Sequence, residues 1–201
     1  LVAGNAPLPQ VLSNALGALQ AYGFDTPIYA GADRPLVRNP ETAERILGPR
    51  GMRSRGQYLP NCGGAVELKD ADAALKAWLR SAQQGERRDI LAIGPLTNVA
   101  RLIQDTPDLK QNITRLIWMG GSDGAGNHSV QAEFNALADP EATAIVAQAG
   151  IALDVVDLMF CRNVTFGEDQ QPHCDSLTSD LLGGYLDIAL TKGRTSMAIY
   201  D

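Results

Sequence analysis

Apolar positions along the chain follow two rhythms. Val11, Leu12, Ala15, Leu16 and Leu19 recur at helical spacing and predict a helix over roughly Pro9 to Tyr22, with Gly23 placed to end it. Helices are also predicted over Ala71 to Ala82, Leu96 to Ile103 and Asp175 to Thr191. Asp139-Pro140 opens another, running through Ala149, with Asp139 as N-cap and Pro140 at the first helical position. The second rhythm is a short, nearly continuous apolar run. Asp89 to Ile93, Leu116 to Met119 and Ile151 to Val156 have this form and predict buried strands, with Thr26 to Ala30 a shorter candidate. Residues 31 to 66, rich in Gly, Pro and Arg, break both rhythms. They predict a long loop with at most a helical turn near Glu41 to Leu47, and a loop of that length is usually functional or mobile.

Continuously apolar strands alternating with helices predict an α/β fold: a three-layer, mostly parallel, Rossmann-like sheet with helices on both faces. Ligands of such sheets bind beyond the carboxyl ends of the strands. Asn5, the turn at Ile93-Gly94 and the loop after Met119 all follow strand-like segments, so they are expected to converge on one sheet edge. The 201 residues, 45% hydrophobic and 20% charged, suit a single domain spanning 1–201. A net charge of −6 with no basic stripe argues against a nucleic-acid partner. No apolar run approaches the roughly 20 residues that span a bilayer, so no membrane partner is expected. Cys62, Cys161 and Cys174 are few, odd in number and far apart. They read as reduced thiols in a cytoplasmic protein.

The richest chemistry lies between Met119 and Asp139. Gly120-Gly121 opens a loop that presents Asn127, Glu133 and Asn135 within nine residues. Two amides and a carboxylate both give and take hydrogen bonds, which suits a polyhydroxylated ligand such as a sugar. A plain polar surface loop is the competing reading, against which Phe134 would anchor the segment inward. Taken alone, Asn5 reads as a turn residue, Ile93 and Met119 as core, and Asp139 as a cap. Thr97 and Asn98 read as hydrogen-bonders at a helix start, and His128 and His173 as surface groups. A phosphate on the Gly-rich loop is disfavoured, because Glu133 would repel it.

These segments also carry a resemblance. Asn127-x5-Glu133-Phe-Asn135, Val2-Ala-Gly-Asn5, Ile93-Gly-Pro-Leu-Thr-Asn-Val-Ala100 and Ala198-Ile-Tyr-Asp201 are similar, in order and spacing, to motifs of the inosine-uridine-preferring nucleoside hydrolases. The resemblance implies the nucleoside hydrolase fold and hydrolysis of the N-glycosidic bond of ribonucleosides to ribose and free base, using a calcium-activated water. It implies that Asn5 orients the water or the ribose, and that Asn127 and Glu133 hold the 5′-hydroxyl. Asn135 would hold the other ribose hydroxyls, and Met119 would pack near the sugar. The Ile93 backbone carbonyl and Asp201 would bind Ca2+, with Asp201 also touching ribose.

The chain departs from the family pattern in three places. Tyr200 stands where a histidine often serves as general acid, and Leu47 stands at a second histidine position. The Asp-rich motif that opens the family would precede Leu1. The domain is therefore expected to be incomplete at both ends, and a non-catalytic nucleoside or ribose binder, or an inactive fragment of a hydrolase, is the alternative. The resemblance further implies a homo-oligomer, dimer or tetramer.

Overall fold

Three short parallel strands organise the chain. The computed structural model describes residues 1–62 and 69–200. Strands β3 (Asp89–Ala92), β4 (Arg115–Met119) and β5 (Leu153–Val156) lie side by side in the order β3-β4-β5. In this register Ile90, Leu116 and Leu153 are neighbours, as are Leu91, Ile117 and Asp154. Side chains alternate across a strand, so these two rows face opposite ways. The first row meets helices α4 (Thr97–Asp105) and α6 (Pro140–Ala147). Leu116, Trp118, Leu96, Val99, Ala100, Ala142 and Val146 form the buried core there. Full burial of each larger apolar side chain stabilises the fold by about 1.5–3 kcal/mol. The opposite row presents Leu91, which is 68% exposed, and the ion pair of Arg115 with Asp154.

The other elements flank this unit. Helix α1 (Leu8–Tyr22) ends as expected at Gly23, whose φ of 66° is left-handed and whose N–H reaches the Leu19 carbonyl. Strand β1 covers only Tyr29–Ala30 and pairs in parallel with β2 (Lys69–Asp70). Pro27 contributes no N–H to a ladder, which fits the shortness of the expected Thr26 to Ala30 strand. Helix α2 (Glu44–Leu47) is the single turn expected in the long loop, and α3 (Ala71–Arg80) is capped by Asp70. Among the described residues, 3₁₀ turns lie at Pro107–Asn112 and Glu168–Gln170. Helices α5 (Phe134–Ala138) and α7 (Leu158–Cys161) follow the strand ends. Strands β6 (Thr165–Gly167) and β7 (Ser196–Ala198) pair antiparallel beside helix α8 (Ser176–Leu190). Leu186, Ile188, Ala189, Phe166 and Met197 make a second buried cluster there.

The parallel-sheet α/β arrangement is thus present. The described part of the long loop is tied to the body. Asn14 Nδ2 donates to the Arg50 carbonyl at 2.8 Å, and Arg55 pairs with Asp187 at 2.7 Å and Glu168 at 3.1 Å. Among the described residues, no helix is long and apolar enough to cross a membrane.

Candidate functional site

The turn after β4 is built by its two glycines. A Cβ on Gly120 would collide with the Trp118 indole, whose Nε1 donates to the Gly94 carbonyl at 3.1 Å. Gly121 has φ 73°, a left-handed turn that L side chains adopt only with strain. Its N–H donates to Glu133 Oε2 at 2.8 Å. The same carboxylate accepts from Asn135 N at 2.8 Å and Ala136 N at 3.0 Å, so Glu133 caps α5. It is 3% exposed, and three N–H donors compensate its burial. Asn135, equally buried, donates from Nδ2 to the Met119 carbonyl at 3.2 Å. Asn127 Oδ1 accepts from Phe134 N at 2.8 Å. Arg162 donates to the carbonyls of Ala125 at 2.7 Å and Gly126 at 2.8 Å, clamping the loop from below. Asp157, which caps α7, is held below the usual carboxylate range first by the Phe160 N–H and also by Asp123.

This loop forms one wall of a cavity of about 610 Å³. Segment 41–47 forms a second wall, and α8 with β7 forms the third. The volume lies within the range of small-molecule sites. Asn5, Leu47, Asn127, Phe134, Tyr185 and Tyr200 are among the lining residues. Asn5 is held there by its own carbonyl, which accepts from Ala43 N at 3.0 Å. His128 Nε2 lies 2.6 Å from Glu41 Oε1, joining the Gly-rich loop to segment 41–47.

Of the residues singled out from sequence, Asn5, Asn127 and Tyr200 come together in the cavity wall. Leu47 and His128 join them. Glu133, Asn135 and Met119 are buried and do not line it. Met119 packs instead in a small apolar cluster against which Tyr200 also rests. Ile93 follows the last residue of β3, is 54% exposed and does not line the cavity. Asp201 lies outside the described residues. Arg45, Lys192 and Arg194 also line the cavity, and the sequence reading had given none of them a role. Among the described residues, no group of three or more His, Cys, Asp or Glu side chains could hold a metal ion. The donors described here therefore do not amount to a calcium site.

Residues 1–197 match the model of the inosine-uridine preferring nucleoside hydrolase family. The chain belongs to this family. The non-specific ribonucleoside hydrolase RihC of Escherichia coli (strain SMS-3-5 / SECEC) is 40% identical over 152 residues, covering 76% of this chain and 49% of that protein. The chain thus spans about half the length of such curated relatives. Among solved structures, the purine-preferring ribonucleoside hydrolase from Gardnerella vaginalis superposes with a TM-score of 0.86 at 20% identity, over 100% of this chain and 67% of that one. A plant nucleoside hydrolase gives 0.84 at 22% identity, over 98% and 64%. Identities this low speak for the fold of these nucleoside hydrolases, and the family itself rests on the sequence match.

Chemically, the wall offers amides, a phenol and apolar surface. Asn127 has committed its oxygen to Phe134, so its NH2 is the group left to donate to a ligand. Leu47 of the second wall, with Ile188 and Met197 of the third, gives an apolar surface suited to a planar base.

Proposed function

We propose that the cavity receives the ribosyl part of a ribonucleoside and that the chain contributes to hydrolysis of its N-glycosidic bond. The observation that carries this reading is the meeting of Asn5, Asn127 and Tyr200 in one cavity wall, each from a different family motif. Asn5 and Asn127 hydrogen-bond ribose hydroxyls and spend that binding on positioning. Glu133, Asn135 and Met119 act on the sugar through the turn they hold, since Glu133 fixes Gly121 and α5 together and Asn135 fixes the end of β4. The bond breaks through an oxocarbenium-like state, as in other glycoside chemistry. Tyr200 donates the proton to the departing base, a role open to a phenol that is protonated at neutral pH.

Calcium is the metal we propose, with the Ile93 carbonyl and Asp201 as this chain's share of its oxygen ligands. Bound calcium would supply an acidified water. The described residues do not complete such a site, and the steps above are those of the protein's own groups. The chain is further proposed to be one domain over 1–201, to assemble as a homodimer or homotetramer, and to work in the cytoplasm without nucleic-acid or membrane partners.

A second reading is favoured by Leu47 and Tyr200, which occupy two histidine positions of the family. Leu47 packs in the apolar cluster of α8. On this reading the chain binds nucleosides without turning them over. Calorimetric titration with inosine and uridine, combined with a reducing-sugar assay in the presence and absence of calcium, separates the two. Hydrolysis predicts sugar release that Tyr200→Phe slows, with kcat falling more than KM changes. Binding without sugar release removes the hydrolytic reading, and no binding removes both.

A further inference from the structure

Asn5 and Asn127 come from segments far apart in the chain, and each belongs to a locally fixed unit. On one side, the Asn5 carbonyl accepts from Ala43 N at 3.0 Å. Gly51, with φ 67°, comes so close to Ala6 that a Cβ on it would lie 2.8 Å from the Ala6 Cβ. Asn5 is therefore joined to segment 41–51. On the other side, Asn127 N and His128 N both donate to the Ala132 carbonyl at 3.1 Å. Asn127 Oδ1 accepts from Phe134 N at 2.8 Å, and the His128 ring lies tilted against the Phe134 ring with centroids 5.9 Å apart. Asn127 is therefore joined to His128 and to the start of α5.

One side-chain contact ties the two units together. His128 Nε2 lies 2.6 Å from Glu41 Oε1, and both residues line the cavity. Among the described residues, it is the one hydrogen bond between segment 41–47 and loop 120–133. Arg162 anchors the same loop to α7, through the carbonyls of Ala125 and Gly126, and not to segment 41–47. The side chains of the pair are 29% exposed for His128 and 54% for Glu41. An ion pair so placed adds little to the stability of a whole chain. Its effect is local, on the separation of the loop from segment 41–47 and hence of the two amides. A displacement of about 1 Å between groups that hold one small ligand is enough to lose much of their benefit.

We infer that Glu41 and His128 form a strut that sets the spacing of Asn5 and Asn127, so that both are positioning residues for the ribose. The inference rests on the ribosyl reading proposed above and adds to it two residues that act through the amides. An ionised carboxylate only accepts, so the strut needs a hydrogen on Nε2 of His128. Glutamine carries its amide nitrogen at about the place of Nε2, whereas the shorter asparagine carries it near Nδ1. His128→Gln therefore keeps a donor within reach of Glu41, and His128→Asn does not.

The test is a double-mutant cycle on the full chain, read by calorimetric titration with inosine and uridine, with Asn5→Ala as the reference for the ribosyl reading. Glu41→Ala and His128→Ala should each weaken binding by about threefold to fivefold, the size of an exposed ion pair. The loss should be the same for both ligands, which share the ribose and differ in the base. The double variant should lose no more than either single one, because the two side chains act as one contact. His128→Gln should restore the affinity and His128→Asn should not, with urea midpoints level throughout. Losses that add in the double variant, or a loss that glutamine does not restore, overturn the strut. Affinity that falls in Asn5→Ala but not in Glu41→Ala or His128→Ala overturns the strut and leaves the ribosyl reading standing. Binding that is unchanged in Asn5→Ala, or absent in the unmodified chain, overturns both.

Discussion

Glu133 shows how one side chain can be marked by a motif for one task while the structure displays another. Its position in the Asn-x5-Glu-Phe-Asn motif suggests a hand on the sugar. In the structure its two oxygens take the N–H groups of Gly121, Asn135 and Ala136. A buried acid so used is structural in its direct effect, and positional in its effect on ligand. Glu133→Ala should lower stability by about 2 kcal/mol, the sum of a lost cap and stranded N–H donors, measured as a fall in the urea midpoint. An unchanged midpoint with lost nucleoside affinity would place the carboxylate on the ligand instead. At Gly121, with φ 73°, an alanine must adopt a left-handed backbone. Gly121→Ala should cost about 1 kcal/mol or more, and a thermal midpoint equal to wild type would refute that strain.

At the scale of elements, Asp139 is the pin that joins three of them. Oδ1 accepts from Ala142 N at 3.0 Å as the cap of α6. Oδ2 accepts from Thr97 Oγ1 at 2.6 Å, at the start of α4, and from Leu36 N at 3.0 Å, in the long loop. The residue is fully buried. Asp139→Ala should therefore destabilise the chain by about 3 kcal/mol, more than an exposed cap would, and a loss no larger than that of Asp175→Ala at the exposed cap of α8 would contradict this. The cap itself was legible in Asp139-Pro140, but its bonds to Thr97 and Leu36 were not, because those partners are distant in sequence.

The same distinction runs through the fold. The strands β3, β4 and β5 could be read because each is a run of consecutive apolar residues, but the expected burial holds mainly for β4, since Leu91 of β3 and Val155 of β5 are exposed. Helix α5 could not, since five residues are too few to show a period and its start signal is a glutamate cap. Strands β6 and β7 are three residues each and exist through pairing of Phe166 with Met197, a contact that no local pattern announces. In the site, Asn5, Asn127 and Tyr200 were marked by motifs. Arg45, Lys192 and Arg194 were given no role, and the overall acidity of the chain concealed them.

At the scale of the whole molecule, charge also sets the response to pH. Asp157, Asp175, Asp187 and Glu141 are all held below the usual carboxylate range, by the Phe160 N–H, the Thr178 hydroxyl, the Arg55 guanidinium and the Arg38 guanidinium respectively. A lowered folded-state pKa means the unfolded chain binds more protons, so stability rises with pH through this region. The contribution is complete above the unfolded values of about 4 and is lost as pH falls through the folded ones. Urea midpoints should be level from neutral pH to about 5 and then fall. A midpoint that rises on acidification below about 4 would contradict this.

The account turns on whether the cavity between the Gly-rich loop, segment 41–47 and α8 is where a ribosyl group sits. The most direct measurement is backbone and side-chain amide NMR of the chain titrated with inosine. Saturable shifts should appear at Asn5, Asn127 and the amides flanking Tyr200, with the groove formed by Tyr29, Ala74 and Trp78 unmoved. Shifts confined to that groove, or no saturable shift at Asn5 and Asn127, would contradict it.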